Sequence, residues 1–170
     1  MTRLEGRNPD AVYFGGNLEA GDKVAREIAQ MFPAVLKLTG DGLMSGAFIS
    51  AVGPASEGRY ASIAAPNSIA SPEVQDWVFR YKGRFGREPE SYTLLAYYAT
   101  LVVADALSRL ARDGQETTRE NVRAYLQTTD LLTLQGRISF DENGDLNEKI
   151  ISMFQVQNGT FNYLGTAPQN

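Results

Sequence analysis

Asp10-Ala-Val-Tyr-Phe-Gly-Gly-Asn17 and Val35-Leu-Lys-Leu-Thr-Gly-Asp-Gly42 are two short apolar runs that each stop at glycine, with Asn17 or Asp41 standing beside the glycines. Between them, Glu19 to Gln30 reads as a helix. Val24, Ile28 and Met31 fall on one face, Lys23, Arg26, Glu27 and Gln30 on the other, and acidic Glu19 and Asp22 lie in the first turn, where they suit the helix dipole. Strand, helix and strand in this order predict a parallel pair. Ligands of open parallel sheets lie outside the carboxyl ends of the strands. Gly15-Gly16-Asn17 and Gly40-Asp41-Gly42 are therefore the expected floor of a binding site.

Working outward, 170 residues with 43% apolar content suffice for one ordinary domain. A net charge of −4, with acids and bases scattered, argues against nucleic acid or an anionic membrane as partner. The chain has neither cysteine nor histidine, which removes disulfides, thiolate chemistry and the commonest general base and zinc ligand. Binding is favoured over catalysis, and no cofactor or metal is expected. Met1-Thr-Arg-Leu-Glu-Gly-Arg7 is polar and carries no signal-peptide pattern. The apolar run Leu94 to Ala106 is broken by Thr100 and Asp105 and reads as too short to span a bilayer. A soluble chain is expected.

Pro33 ends the first helix, and Ala34 to Leu38 is the second strand. Leu43 to Val52 reads as one short helix closed by Gly53-Pro54, and Arg59 to Ala64 as a third strand. Asn67 to Ser71 is a connector, and Ser71-Pro72-Glu73 starts a helix reaching about Phe85. Ser91 is placed to cap a helix running to about Arg112 and ending at Gly114. Its apolar residues go most of the way round, so it must be covered on several sides. Thr118 opens a further helix ending near Thr128. Gly136 to Phe140 reads as a strand, Asp141 to Asp145 as a turn, and Lys149–Val156 with Phe161–Leu164 as a hairpin across Asn158-Gly159.

Asp41 admits two readings: a carboxylate placed to receive an ammonium group, or a residue that caps the following helix or orders a turn. Gly15-Gly16-Asn17 offers backbone N–H groups and a side-chain amide, or is a plain tight turn. It fits neither the dinucleotide nor the phosphate-loop pattern. Asp141, Asn143 and Asp145 imitate a calcium loop, but Leu146 and Ser152 stand where Gly and Glu are needed, so a turn is expected. Arg80, Lys82, Arg84 and Arg87, interleaved with Tyr81 and Phe85, read as a solvated helix face. Tyr92, Tyr97 and Tyr98 are expected in the core, although Tyr92, near a helix start, is also placed to reach a ligand.

Asn8-Pro-Asp-Ala-Val-Tyr-Phe-Gly-Gly16, Thr39-Gly-Asp-Gly42, Glu57-Gly58, Phe85-Gly-Arg-Glu-Pro89, Ala96-Tyr-Tyr-Ala99, Ala104-Asp-Ala-Leu107, Ile138-Ser-Phe-Asp-Glu-Asn-Gly-Asp145 and Phe154-Gln-Val-Gln-Asn-Gly-Thr-Phe161 together resemble the substrate-binding proteins of branched-chain amino acid ABC transporters. These are type I periplasmic binding proteins. The resemblance implies an α/β, partial Venus-flytrap fold: a parallel sheet flanked by helices, plus a C-terminal β-hairpin. It implies that residues 10–66 and 148–165 belong to the second lobe, and that residues 72–140 pack on a first lobe absent from this chain. It implies that Asp41 takes the ammonium of an amino acid-like ligand, with contacts from Gly15, Gly16, Asn17, Gly40 and Gly42 and from Tyr92. Asn17 departs from the family, where the leucine/isoleucine/valine binder has tyrosine. An ABC permease is the implied partner and the periplasm or cell exterior the implied location. The rival expectations are a sensing module of the same fold that forms a homodimer through the surface of the missing lobe, and an enzyme built on Asp41 and Glu19. Only the presence of acids recommends the enzyme.

Overall fold

The computed structural model describes residues 6–67, 71–90 and 92–168. The first five residues of the polar lead, residues 68–70 of the connector and the expected cap Ser91 lie outside the described residues. The chain forms two compact units, residues 1–65 with 150–170, and residues 66–149.

The first unit is a five-stranded sheet with helices. Its elements are β1 (Ala11–Phe14), α1 (Leu18–Met31), β2 (Leu36–Thr39), a 3-10 turn (Asp41–Leu43), α2 (Gly46–Val52), β3 (Tyr60–Ile63), β6 (Ser152–Gln157) and β7 (Thr160–Thr166), in sheet order β1-β2-β3-β6-β7. β1, β2 and β3 run parallel, as the expected crossover requires. The hairpin extends the sheet antiparallel from β3, with Tyr60 opposite Gln155. Asn158 and Gly159 adopt φ 54° and 71°, the left-handed pair that a two-residue hairpin turn needs. Glu57 holds that turn from outside, its carboxylate accepting from the N–H groups of Asn158 at 2.8 Å and Gly159 at 3.3 Å.

The core of this unit joins Ala25 of α1, Leu43, and Phe48 and Val52 of α2, with Phe14, Ile49, Ala55 and Phe161 packed against them. Here the expectation of one helix over Leu43–Val52 is corrected. The chain makes a 3-10 turn, breaks at Met44, and restarts as α2 at Gly46. Ser45 is the reason: its hydroxyl accepts from Phe48 N–H at 3.1 Å, an N-cap bond that fixes where the α-helix begins.

One charge sits inside this core. Arg59, just before β3, is fully buried. Among the described residues it makes one long hydrogen bond, to the Ala25 carbonyl at 3.4 Å, lies 5.9 Å from the Phe48 ring centre, and leaves Nε and Nη1 without partners. Burial lowers its pKa from the ordinary guanidinium value.

The second unit holds α3 (Pro72–Phe85), α4 (Thr93–Arg112), α5 (Arg119–Gln127), β4 (Asp130–Thr133) and β5 (Gly136–Ser139). Ser71 caps α3 by accepting from Val74 N–H at 3.2 Å, and Gly86 ends it at φ 66°, the left-handed C-terminal position glycine favours. Arg80 pairs with Asp76 at 3.1 Å and Lys82 pairs with Glu88 on the exposed basic face. Val74, Trp77, Leu94 and Tyr98 form the core, with Leu134 and Ile138 against it. The Tyr98 hydroxyl accepts from Leu134 N–H at 3.0 Å.

Sequence reading missed β4. It pairs antiparallel with β5, Leu131 opposite Ile138. The helix α4 is apolar around its circumference as expected, yet only the stripe Leu94, Tyr98, Val102, Ala106 and Leu110 is buried, while Tyr97, Leu101, Val103 and Leu107 are exposed. At twenty residues α4 has the length and composition of a membrane-crossing helix, which corrects the reading that its apolar run is too short. The buried stripe, at i, i+4 spacing, gives it a packing role within its unit. Arg109 fastens α4 to α5 through Thr128 Oγ1 at 2.9 Å and the Tyr125 carbonyl at 2.8 Å.

Candidate functional site

β1 and β2 are adjacent and parallel, with Phe14 opposite Thr39, so the turns Gly15–Asn17 and Gly40–Gly42 leave the sheet at the same end. Buried Thr39 ties the two strand ends together, its hydroxyl donating to the Phe14 carbonyl at 3.0 Å. None of Gly15, Gly16, Gly40 and Gly42 has positive φ. These positions require room, not left-handed backbone. A methyl on Gly16 would strike the Phe14 ring, and one on Gly42 would lie 2.5 Å from the Gly16 carbonyl oxygen and 3.4 Å from Asn17 Cα. The two turns are thus in backbone contact, and the missing side chain of Gly42 is what lets them meet.

Asp41 opens the 3-10 turn, and its carbonyl accepts from Met44 N–H at 2.9 Å. The turn is anchored by fully buried Leu43, whose side chain fills the space a methyl on Gly21 of α1 would occupy. The backbone of Asp41 is therefore held while its side chain is exposed, and among the described residues its carboxylate makes no hydrogen bond or ion pair. The alternative that Asp41 caps the following helix does not hold, because Ser45 is the N-cap of α2. Asn17 occupies the N-cap position of α1 without a side-chain cap bond, and its carbonyl accepts from Gly21 N–H at 3.0 Å. A carboxylate, a side-chain amide and the positive end of α1 thus share one rim.

Six sequence candidates, Gly15, Gly16, Asn17, Gly40, Asp41 and Gly42, come together in the first unit. Tyr92 belongs to the second, directly before α4, and is 46% exposed. Sequence reading missed Thr39, Leu43 and Tyr13, which brace or flank these turns. A glycine at position 21, within an amphipathic helix, was the available signal for Leu43. The loop Asp141–Asp145 is a turn as expected: Asp141 Oδ1 accepts from the N–H groups of Asn143 at 2.9 Å and Asp145 at 3.0 Å. Desolvation alone would raise the Asp141 pKa, but these two bonds and the Lys149 ammonium together hold it below the ordinary value.

The profile of the periplasmic binding protein family matches residues 1–160. The chain belongs to this family. Among its relatives is Leu/Ile/Val-binding protein homolog 1 of Brucella suis, 27% identical over 167 residues, which are 96% of this chain and 44% of that protein. BraC3, a Leu/Ile/Val-binding protein of Rhizobium johnstonii, is 26% identical over 93% of this chain and 42% of its own length. The chain spans less than half the length of these curated relatives. The crystal structure of a leucine binding protein from Thermotoga maritima superposes with a TM-score of 0.79 at 28% identity, over 97% of this chain and 46% of that one. A branched-chain amino acid transporter substrate binding protein from Streptococcus pneumoniae, in complex with isoleucine, gives 0.76 at 19% identity, over 98% and 47%, a likeness of fold. The chain thus carries about half of a type I periplasmic binding fold, as the sequence resemblance implies.

Proposed function

We propose that this chain is a C-terminal portion of the extracytoplasmic solute-binding component of an ABC transporter, and that it receives an amino acid or similar small molecule at the strand ends around Asp41. The observation that carries the reading is the backbone contact of the Gly15–Asn17 and Gly40–Gly42 turns, which holds an unpartnered, exposed Asp41 beside an uncommitted Asn17. The names of the Leu/Ile/Val-binding relatives support an amino acid as the ligand class. Asp41 accepts from the ligand ammonium, and the turn N–H groups and the Asn17 amide contact the rest of the ligand from the same rim. Asn17 in place of the family tyrosine changes the shape and polarity of that rim.

On this reading residues 10–66 and 148–165 are second-lobe structure, and residues 72–140 pack on a first lobe supplied by the rest of the protein. The ligand binds between two lobes, and closure around it creates the form a permease recognises, because ligand stabilises only the closed state. The role is binding, without catalysis, in the periplasm or outside the cell. The isolated chain holds half of the clamp and binds in the millimolar range or weaker. The test is L-leucine titration followed by amide chemical shifts. Gly40–Gly42 shifts are expected to saturate slowly, and Asp41→Asn to weaken binding about ten- to a hundredfold, the worth of one charge-assisted hydrogen bond. Submicromolar binding, or equal binding by Asp41→Asn, contradicts the proposal.

A second reading is a sensing module that pairs with its own copy. The exposed apolar residues Tyr97, Leu101, Val103 and Leu107 on α4 favour it, since such patches recruit partners. Light scattering with size exclusion across a concentration range decides: a stable dimer supports it, a monomer at high concentration removes it.

A further inference from the structure

We infer that Tyr13 is a specificity-determining wall of the site at the strand ends, an inference that rests on the reading of Asp41 as ligand receptor. Side chains alternate across a strand, and Phe14 is committed to the core with α1 and α2. Tyr13 therefore faces the other side of the sheet, where it is 65% exposed.

Its ring leans across both turns. The ring edge lies 3.0 Å, and the hydroxyl 3.5 Å, from where a side chain at Gly15 would begin, and the hydroxyl lies 3.1 Å from where one at Gly40 would begin. Gly40 has φ −83° and Gly15 also lacks positive φ, so neither glycine is demanded by backbone conformation. Both leave space for one aromatic ring. That ring ends next to Asp41 in the chain, with a phenol that both donates and accepts hydrogen bonds. A ligand whose ammonium meets Asp41 would lay its adjoining carbon skeleton against this ring. The ligand class is a primary amine with an aliphatic or aromatic side chain, for which a tyrosine face supplies apolar area with a polar edge.

The test uses the 170-residue chain with L-leucine as probe, reading the Gly40–Gly42 amides and the Tyr13 ring resonances, the latter assigned by their loss in Tyr13→Phe. The ring is expected to shift in step with the Gly40–Gly42 amides. Tyr13→Ala is expected to weaken binding about tenfold, and Tyr13→Phe by less, since most of the wall remains. Because Tyr13 is exposed, both variants should keep the wild-type amide pattern outside the two turns. Movement of the Gly40–Gly42 amides with a silent ring and unchanged affinity in Tyr13→Ala overturns the inference while sparing the role of Asp41. A titration that leaves the Gly40–Gly42 amides still overturns the reading of the site, and Tyr13 with it.

Discussion

Leu43→Ala will lower the unfolding free energy by about 2–5 kcal/mol, the range for emptying a buried leucine position. Leu43 is fully buried among Ala25, Phe48 and Val52, and its side chain fills the notch at Gly21. Urea denaturation measures the loss. The same contact gives a sharper expectation. Gly21→Ala alone puts a methyl into the Leu43 side chain and destabilises through overpacking, although alanine is the better helix former. In the Leu43→Ala background the Gly21 methyl enters the vacated space, so the double variant will be more stable than the sum of the two single losses. Residues in contact show such non-additivity. Additive losses would mean that the turn carrying Asp41 is not anchored on α1.

Arg59→Met will raise stability, by analogy with the gain of up to about 1–4 kcal/mol when apolar side chains of similar volume replace buried ion pairs. The physical cause is the cost of keeping a guanidinium in the core with Nε and Nη1 unsatisfied and a single bond of 3.4 Å. The adjoining Phe48 ring offsets part of that cost. The pH dependence follows from the lowered pKa of Arg59. Between that lowered value and the ordinary one the unfolded chain binds more protons, so the wild-type penalty shrinks as the solution becomes strongly alkaline. The advantage of the methionine variant is full at neutral pH and narrows only under strongly alkaline conditions. A lower midpoint for Arg59→Met in urea would show that the guanidinium has partners of its own.

Much of this architecture was legible because turn chemistry announces itself locally. Gly15-Gly16 and Gly40 stop two parallel strands, Asn158-Gly159 makes the hairpin, and Ser71-Pro72 starts α3 where expected. β4 escaped notice because its turn has no Asn or Gly at its two central positions. Leu134 and Gln135 make it, with the Thr133 hydroxyl accepting from Gln135 N–H at 3.0 Å and donating to the Gly136 carbonyl at 2.7 Å. The break at Met44 was missed although Ser45 signalled it, since the apolar run across Leu43–Val52 suggested one helix. The candidate site was legible as two glycine-rich turns but not as a contact surface. That Gly42 lies against the Gly16 carbonyl, that Gly21 makes room for Leu43, and that Gly15 and Gly40 make room for Tyr13 are consequences of strand pairing, which local sequence does not carry. Arg59 is expected only as the first residue of a strand, and nothing local to it signals that packing around Phe48 buries it.

The central claim, that Asp41 makes this chain the ammonium-binding half of an amino acid site, is tested most directly by taking leucine apart. The chain is titrated with L-leucine, with 3-methylbutylamine, which lacks the carboxylate, and with 4-methylpentanoate, which lacks the amine, while the amides of Gly40–Gly42 are followed. Leucine and the amine are expected to shift these residues to similar extents, and the carboxylate to leave them unmoved. Equal response to 4-methylpentanoate, or response to it alone, would contradict that claim.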